Sequence, residues 1–338
     1  MLSQLYAPIE AEMQLVNQLL ATTIKKSTYP TIHNIQEYIL SAPGKRLRPA
    51  LALLCYKLFE PDAILTIDSP VVQLAAALEL IHMASLVHDD IIDEASHRHN
   101  KPSLPAIWGT NVSILMGVYL YSVALELISQ AALPTVLPMI GLAVQNMCEG
   151  ELEQLLQRGQ YEIEFDYYLD ILKKKTAALF VVACEGGASM SRCTRETLPQ
   201  LREFGSHLGI VFQIVDDYLD IVDSGSELGK TVGQDFALGE MTLPFMFLLQ
   251  NATPNKKDEY IALFKAKTPE AFFTLQEKLR SSNSIQETKG LAYVYIDKAL
   301  DIIPNLPDTP SRRSLALLVA YIEQRGFGET RTAITVAK

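Results

Sequence analysis

Two runs of aspartate, each embedded in apolar sequence, limit what this chain can fold into more than any other feature. Asp89, Asp90 and Asp93 stand in LVHDDIID, and Asp216, Asp217 and Asp220 stand in QIVDDYLD. Both runs have the spacing DDxxD. On a helix, residues four apart stack on one face, so Asp89 with Asp93, and Asp216 with Asp220, form two carboxylate ladders. Acids in otherwise buried helices are costly unless a positive charge neutralises them. Hard divalent cations take oxygen ligands, and Mg²⁺ commonly bridges one or two carboxylates to substrate phosphates. Either run alone is equally compatible with a solvated acidic turn. Two together, each followed by basic and glycine-containing sequence, point to metal ions and phosphate.

The surrounding sequence predicts helices. Hairpin dipeptides between alternating apolar runs are missing, as is any strand–helix–strand rhythm. Apolar segments are instead separated by short breaks such as SAPGK, Asp68-Ser69-Pro70, NKPSLP and SGSELGKTVG. From Gly205 to Val222, Leu208, Phe212, Val215, Leu219 and Val222 recur at helical intervals, with Gln213, Asp216, Asp217 and Asp220 on the other side. His82, Asp89 and Asp93 likewise share one helical face. Beyond about Asn251, charged and apolar helical stretches alternate with no legible chemistry. The expectation is one mainly α-helical domain spanning 1–338.

A chain of 338 residues with 49% hydrophobic residues supports a substantial core, and a net charge of −10 argues against nucleic acid as a partner. Cys55, Cys148, Cys184 and Cys193 lack metal-type spacing and need no disulfide, which fits a reducing, cytoplasmic compartment. The opening MLSQLYAPIEAEMQ lacks a leader pattern. Between Lys101 and Glu149 only Glu126 is charged, which invites a membrane span. Pro105, Gly109, Asn111, Gly117, Pro134, Pro138 and Asn146 interrupt that stretch, so buried or subunit-interface helices are expected instead of a transmembrane segment.

The cations complete the pattern. Gly44-Lys45-Arg46-Leu47-Arg48-Pro49 clusters three of them beside a glycine, as a phosphate requires, although a solvated basic turn has the same composition. Arg98 and Lys101 follow the first aspartate run, Lys173-Lys174-Lys175-Thr176 interrupts an apolar helix, and Lys230 lies in a glycine-rich loop. Neither GxxxxGK[ST] nor GxGxxG at a strand–helix junction is present. Acids for metal plus scattered cations describe a diphosphate site.

GKRLRP, HMASLVHDDIIDEASHRHNKPS, GELEQ, KKKTA, FQIVDDYLD and GKTVGQD occur here in one order. In that order and spacing the chain resembles the trans-isoprenyl diphosphate synthases, or polyprenyl synthetases, over roughly residues 40–245. The resemblance implies an all-α bundle around a deep central cavity, usually a homodimer. It also implies condensation of isopentenyl diphosphate with an allylic prenyl diphosphate to give a membrane-soluble product. Asp89, Asp93, Asp216 and Asp220 would hold Mg²⁺, three ions per active site, with Asp90 and Asp217 supporting them. Lys45, Arg48 and His82 match the isopentenyl pocket, to which position 99, here a histidine, also belongs. Arg98, Lys175, Thr176, Gln213 and Lys230 match positions that grip the allylic diphosphate, and Gln154 is the glutamine of GExxQ. The chemistry is ionisation, condensation and elimination, in which cations stabilise a departing diphosphate. His88 is expected to pack.

Several positions depart from the family pattern. His99 and Asn100 stand where a second Arg and a Gly are common, Pro43 replaces a Gly, Val118 an Asp, and Glu240 a Lys. Ala84 and Ser85 lie one turn deeper than the first aspartates. The small Ala84 stands where short-chain members carry an aromatic, so the resemblance favours a hexaprenyl to octaprenyl product. The catalytic half of a heteromeric synthase and a farnesyl or geranylgeranyl synthase are the alternatives. A terpene cyclase would lack Lys45, Arg48 and His82.

Overall fold

The computed structural model describes residues 1–24, 27–41, 44–98, 101–131, 134–222, 233–328 and 330–331. Pro43, His99, Asn100 and Lys230, singled out above, lie outside them. The described chain is built from α-helices, with one two-residue antiparallel pair, His97–Arg98 against Lys101–Pro102, as the only strands among the described residues. It divides into two compact units. One comprises Met1–Leu142, Leu179–Gly205 and Ile302–Leu317, and the other Ala143–Ala178, Ser206–Asp301 and Leu318–Lys338.

The first unit is organised around the helix Pro70–Ile92. Proline at its first turn suits a position with no hydrogen bond to lose. Its sequence is apolar around the whole circumference, as a core helix must be, and Glu10–Ile24, Leu47–Lys57 and Thr110–Gln130 pack around it. Pro70–Ile92 and Thr110–Gln130 are each long and apolar enough to span a bilayer, but 78% of the apolar window of the first is buried inside the protein. For Thr110–Gln130 that share is 44%, and Ile114, Leu115, Val118 and Leu125 project from it into solvent.

The second unit contains residues 206–222 of the helix Leu198–Val222. The sequence stripe on this helix is broader than expected. Leu208 and Val215 are buried, but so are Ile210, Val211, Ile214, Tyr218 and Ile221, while Phe212, Leu219 and Val222 are only half-buried. An aromatic core built from the C-terminal third closes over the end of this helix. Phe236, Phe245, Phe264 and Phe272 cluster there with Ile221, and Phe245 meets Phe264 edge-on at 4.6 Å. Gln276 donates from Nε2 to the Ile221 carbonyl at 2.5 Å, satisfying one of the carbonyls a helix end leaves open.

One buried ion pair was not legible in the sequence. Lys57 Nζ lies 2.8 Å from Glu12 Oε1 and donates to the Ala63 carbonyl at 2.7 Å, with both residues buried. Removing one partner strands a charge in the core. Lys57→Met is expected to destabilise the protein by about 3–5 kcal/mol, and adding Glu12→Gln should recover part of that loss. Chemical unfolding of both variants checks this; equal stability of Lys57→Met and wild type would contradict it.

Candidate active site

Both aspartate runs sit in the last turns of long helices, Pro70–Ile92 and Leu198–Val222. A helix C-terminus carries partial negative charge from its unpaired carbonyls, so acids placed there are disfavoured and cations favoured. In the first run, Asp93 ends the helix, its N–H donating to the Asp89 carbonyl at 2.9 Å. Asp89 and Asp93 are half-buried, whereas Asp90 is buried and accepts from Arg98 Nε at 2.6 Å. The two-residue strand pair turns the chain back after the helix, and Arg98 is on it. One turn deeper, Ala84 has no exposed surface, and the Ser85 hydroxyl donates to the His82 carbonyl at 2.9 Å. His82 and Ser85 are half-buried. His88 packs onto Thr110–Gln130, where a Cβ on Gly117 would come within 2.1 Å of its Nε2.

The three cations of GKRLRP are placed differently from one another. Arg46 adopts a left-handed backbone (φ 51°), and its Nη1 lies 2.5 Å from Oε1 of the buried Glu79, so its charge serves the fold. The Arg48 guanidinium lies over the Phe180 ring, 4.8 Å from its centre. The Lys45 carbonyl accepts from the Tyr6 hydroxyl.

In the second unit a polar chain runs through the helix that carries Asp216, Asp217 and Asp220. Thr176 Oγ1 donates to Gln213 Oε1 at 2.7 Å, Gln213 Nε2 donates to Asp217 Oδ1 at 2.8 Å, and the Tyr168 hydroxyl donates to Asp217 Oδ2 at 2.5 Å. Asp217 is buried, and burial pushes its carboxyl up to about 7; hydrogen bonds from Tyr168 and Gln213 oppose that rise, and Asp216 and Glu240 add to it. Burial and the Asp217 charge together hold the Tyr168 phenol well above its ordinary value, which keeps it a donor. Both oxygens of Asp220 accept from backbone N–H groups, those of Gln234 and Asp235, at 3.2 Å. Asp216 meets a cation: Arg325 Nη2, from the helix Pro310–Phe327, is 2.5 Å from its Oδ1.

Lys175 and Thr176 lie on a π-helical turn, Lys173–Ala177, a local widening that shifts their phase relative to the α-helix before it. Lys175 Nζ pairs with Glu151 of GELEQ at 2.6 Å, and Lys174 reaches Glu149 and Asp170. The glycine of GELEQ is required by proximity, since a Cβ on Gly150 would sit 2.6 Å from the Lys175 backbone nitrogen. Gln154, three residues along the same face from Glu151, donates to Glu240 Oε2, and Arg158 donates to Glu240 Oε1 from Nε at 2.8 Å. The charge reversal at Glu240 is thus compensated inside this chain by Arg158, a residue the sequence reading passed over.

Among the described residues, no three acidic, histidine or cysteine side chains converge into a ready-made metal cage. Mg²⁺ needs no such cage, because it keeps waters and takes phosphate oxygens in addition to one or two carboxylates. The donor set is hard oxygen, and a positive group already stands against Asp216. In donor chemistry Asp89 with Asp93, and Asp216 with Asp220, offer the hard oxygens a divalent cation takes, Asp220 while its oxygens also accept backbone N–H groups. Arg325, from the C-terminal stretch where the sequence showed no legible chemistry, is the residue that meets Asp216, and the sequence reading passed over it. The one available signal was an Arg beside a Gly in the last turn of a helix with an apolar middle.

The raised Asp217 carboxyl has a pH consequence for the metal-free protein. From about pH 4, where an unfolded Asp ionises, up to about 7, the folded chain holds a proton that the unfolded chain has lost. Stability therefore falls as pH rises through that window. Asp217→Asn, which cannot ionise, should gain on wild type progressively between about pH 4 and 7 and hold a constant advantage above it. Melting temperatures in EDTA measure this, and a pH-independent difference would contradict it.

Comparison with known proteins fits this arrangement. The Polyprenyl synthetase family profile matches residues 29–279. The chain is 32% identical to heptaprenyl diphosphate synthase component 2 of Bacillus subtilis, over 95% of this chain and 90% of that one. It is 33% identical to octaprenyl diphosphate synthase of Escherichia coli, over 87% and 90% of the respective chains. A crystal structure of polyprenyl synthase from Caulobacter crescentus, complexed with calcium and isoprenyl diphosphate, superposes with a TM-score of 0.90 at 31% identity. That match covers 96% of this chain and 98% of the other. The fold is the all-α isoprenoid synthase fold, and the extent of these matches leaves one assignment: the chain belongs to the polyprenyl synthetase family and is a prenyltransferase.

Proposed function

We propose that this chain condenses isopentenyl diphosphate with an allylic prenyl diphosphate in the presence of Mg²⁺ and builds an all-trans product of hexaprenyl to octaprenyl length. The observation that carries the reading is the placement of both aspartate runs in the last turns of apolar helices, where carboxylates call for cations. In this reading Asp89, Asp93, Asp216 and Asp220 hold the metal ions. Mg²⁺, when bound, supplies positive charge to the departing diphosphate. Arg98, Lys175 and Lys230 grip the allylic diphosphate, while Gln213 orients Thr176 and Asp217. Lys45, Arg48 and His82 hold isopentenyl diphosphate, with His99 a weaker donor than an arginine there. The proton lost after condensation goes to the released diphosphate, so no histidine base is needed.

The product length is supported by the small side chains of Ala84 and Ser85 and by the name of the octaprenyl relative. Assembly as a homodimer is supported by Ile114, Leu115, Val118 and Leu125, exposed on a helix apolar enough to be covered. The heptaprenyl relative is named as component 2, which favours a second reading, in which this chain is the catalytic member of a heteromer. A cytoplasmic setting accords with four free cysteines. In both readings residues 1–338 act as one catalytic domain.

Incubating the purified chain alone with farnesyl diphosphate, isopentenyl diphosphate and Mg²⁺, with products resolved by length, tests the proposal. Elongation to hexaprenyl–octaprenyl products is expected. Products ending at farnesyl or geranylgeranyl length contradict the length assignment, and no elongation by the folded single chain contradicts the homomeric reading.

A further inference from the structure

Arg325 stands where the metal reading of Asp216 requires positive charge. Its Nη2 is 2.5 Å from Asp216 Oδ1, and the two side chains are only 15% and 32% exposed. The same guanidinium lies 5.1 Å from the ring centre of Phe212, one turn earlier on the helix of Asp216. This placement is fixed by the residues that follow. A Cβ on Gly326 would meet Val215 Cγ2 at 2.8 Å, so only glycine lets the two helices approach so closely at this point. Phe327 then packs edge-on against Tyr218 at 5.3 Å and against Tyr293 at 5.2 Å. Arg325-Gly326-Phe327 is therefore a docked unit bearing on Phe212, Val215, Asp216 and Tyr218, and Arg325 is aimed by packing on its C-terminal side.

We infer that Arg325 is a built-in counter-ion, which holds Asp216 in the metal-free protein and competes with the divalent cation for that carboxylate. The inference rests on the proposed metal role of Asp216 and deepens it. Nη2 and Oδ1 meet as an ion pair without hydrogen-bond geometry, and Arg325 Nη1 has no hydrogen-bond partner, so a divalent cation drawn to this carboxylate would compete with the guanidinium. The arginine relieves repulsion between Asp216 and its acidic neighbours while no metal is present, and it sets a threshold that metal binding must overcome. Once displaced, the guanidinium remains tethered by Gly326 and Phe327 beside an anionic site. It is a positioning residue for Asp216.

The test is the affinity for Mn²⁺ alone, without diphosphate, measured by calorimetric titration of the full chain. Arg325→Gln should bind Mn²⁺ about three- to tenfold more tightly than wild type, the range expected for loss of a partly buried ion pair. Arg325→Lys, which keeps a charge but loses the planar guanidinium over Phe212, should show a smaller gain, and it serves as the test if the Gln variant does not fold. Lys289→Gln is the control for loss of a positive charge beside the docked unit, because Lys289 lies over Tyr218 and Phe327, 5.6 and 5.5 Å from their ring centres, and among the described residues no ion contact pairs it with Asp216. It should change affinity by less than about twofold. Unchanged or weaker Mn²⁺ binding in the Arg325 variants overturns the inference, as does an equal gain in Lys289→Gln. Asp216→Asn separates this from failure of the metal assignment. If it leaves Mn²⁺ affinity unchanged, the metal role of Asp216 falls and the counter-ion role with it. If it weakens binding while the Arg325 variants do not move, the counter-ion role alone falls.

Discussion

Carboxylates at the C-terminal ends of apolar helices are the constraint from which the rest of the site follows. A helix end of this kind already carries negative potential, and the flanking core offers little solvent to screen more. Each run answers the problem with the same division of labour. The second aspartate of each pair is buried and satisfied by the protein, Asp90 by Arg98 and Asp217 by Tyr168 and Gln213. The outer aspartates, Asp89 with Asp93 and Asp216 with Asp220, remain half-buried. The buried members fix the helix ends; the outer members carry the charge that a metal ion would neutralise.

The polar chain around the second run shows how a departure from a family pattern is absorbed. Glu240 puts a negative charge where a lysine is common, and unopposed it would compound the acidity around Asp217. Arg158 and Gln154 engage both of its oxygens, so the reversal is local. The π-helical turn serves the same network, since it places Lys175 against Glu151 and Thr176 against Gln213 although they are adjacent in sequence. A regular α-helix would rotate successive residues by a fixed step, and the widened turn relaxes that step where two neighbours need different partners.

The helical class, the two carboxylate ladders and Arg98 beside the first of them were legible because each depends on short-range spacing, which a sequence states directly. Arg325 was not, because its pairing with Asp216 joins segments more than a hundred residues apart. Lys57 with Glu12 and Arg158 with Glu240 also join segments well separated in sequence, which local spacing does not reveal. Arg46 was grouped with Lys45 and Arg48 as a phosphate cation on spacing alone, yet a left-handed backbone directs it to Glu79. The single apolar stripe read on the Asp216 helix was too narrow because that helix is enclosed on most of its circumference. Periodicity identifies a helix with one wet face better than a helix with almost none.

The central claim is that the outer aspartates act through the charge they hold for the reacting diphosphate, and the turnover number of Asp89→Asn and Asp216→Asn at saturating substrates and Mg²⁺ tests it most directly. Asparagine keeps the shape and removes the charge. The account expects each variant to remain folded and to lose a factor on the order of 10²–10³ in kcat. A folded variant that turns over at the wild-type rate would contradict it.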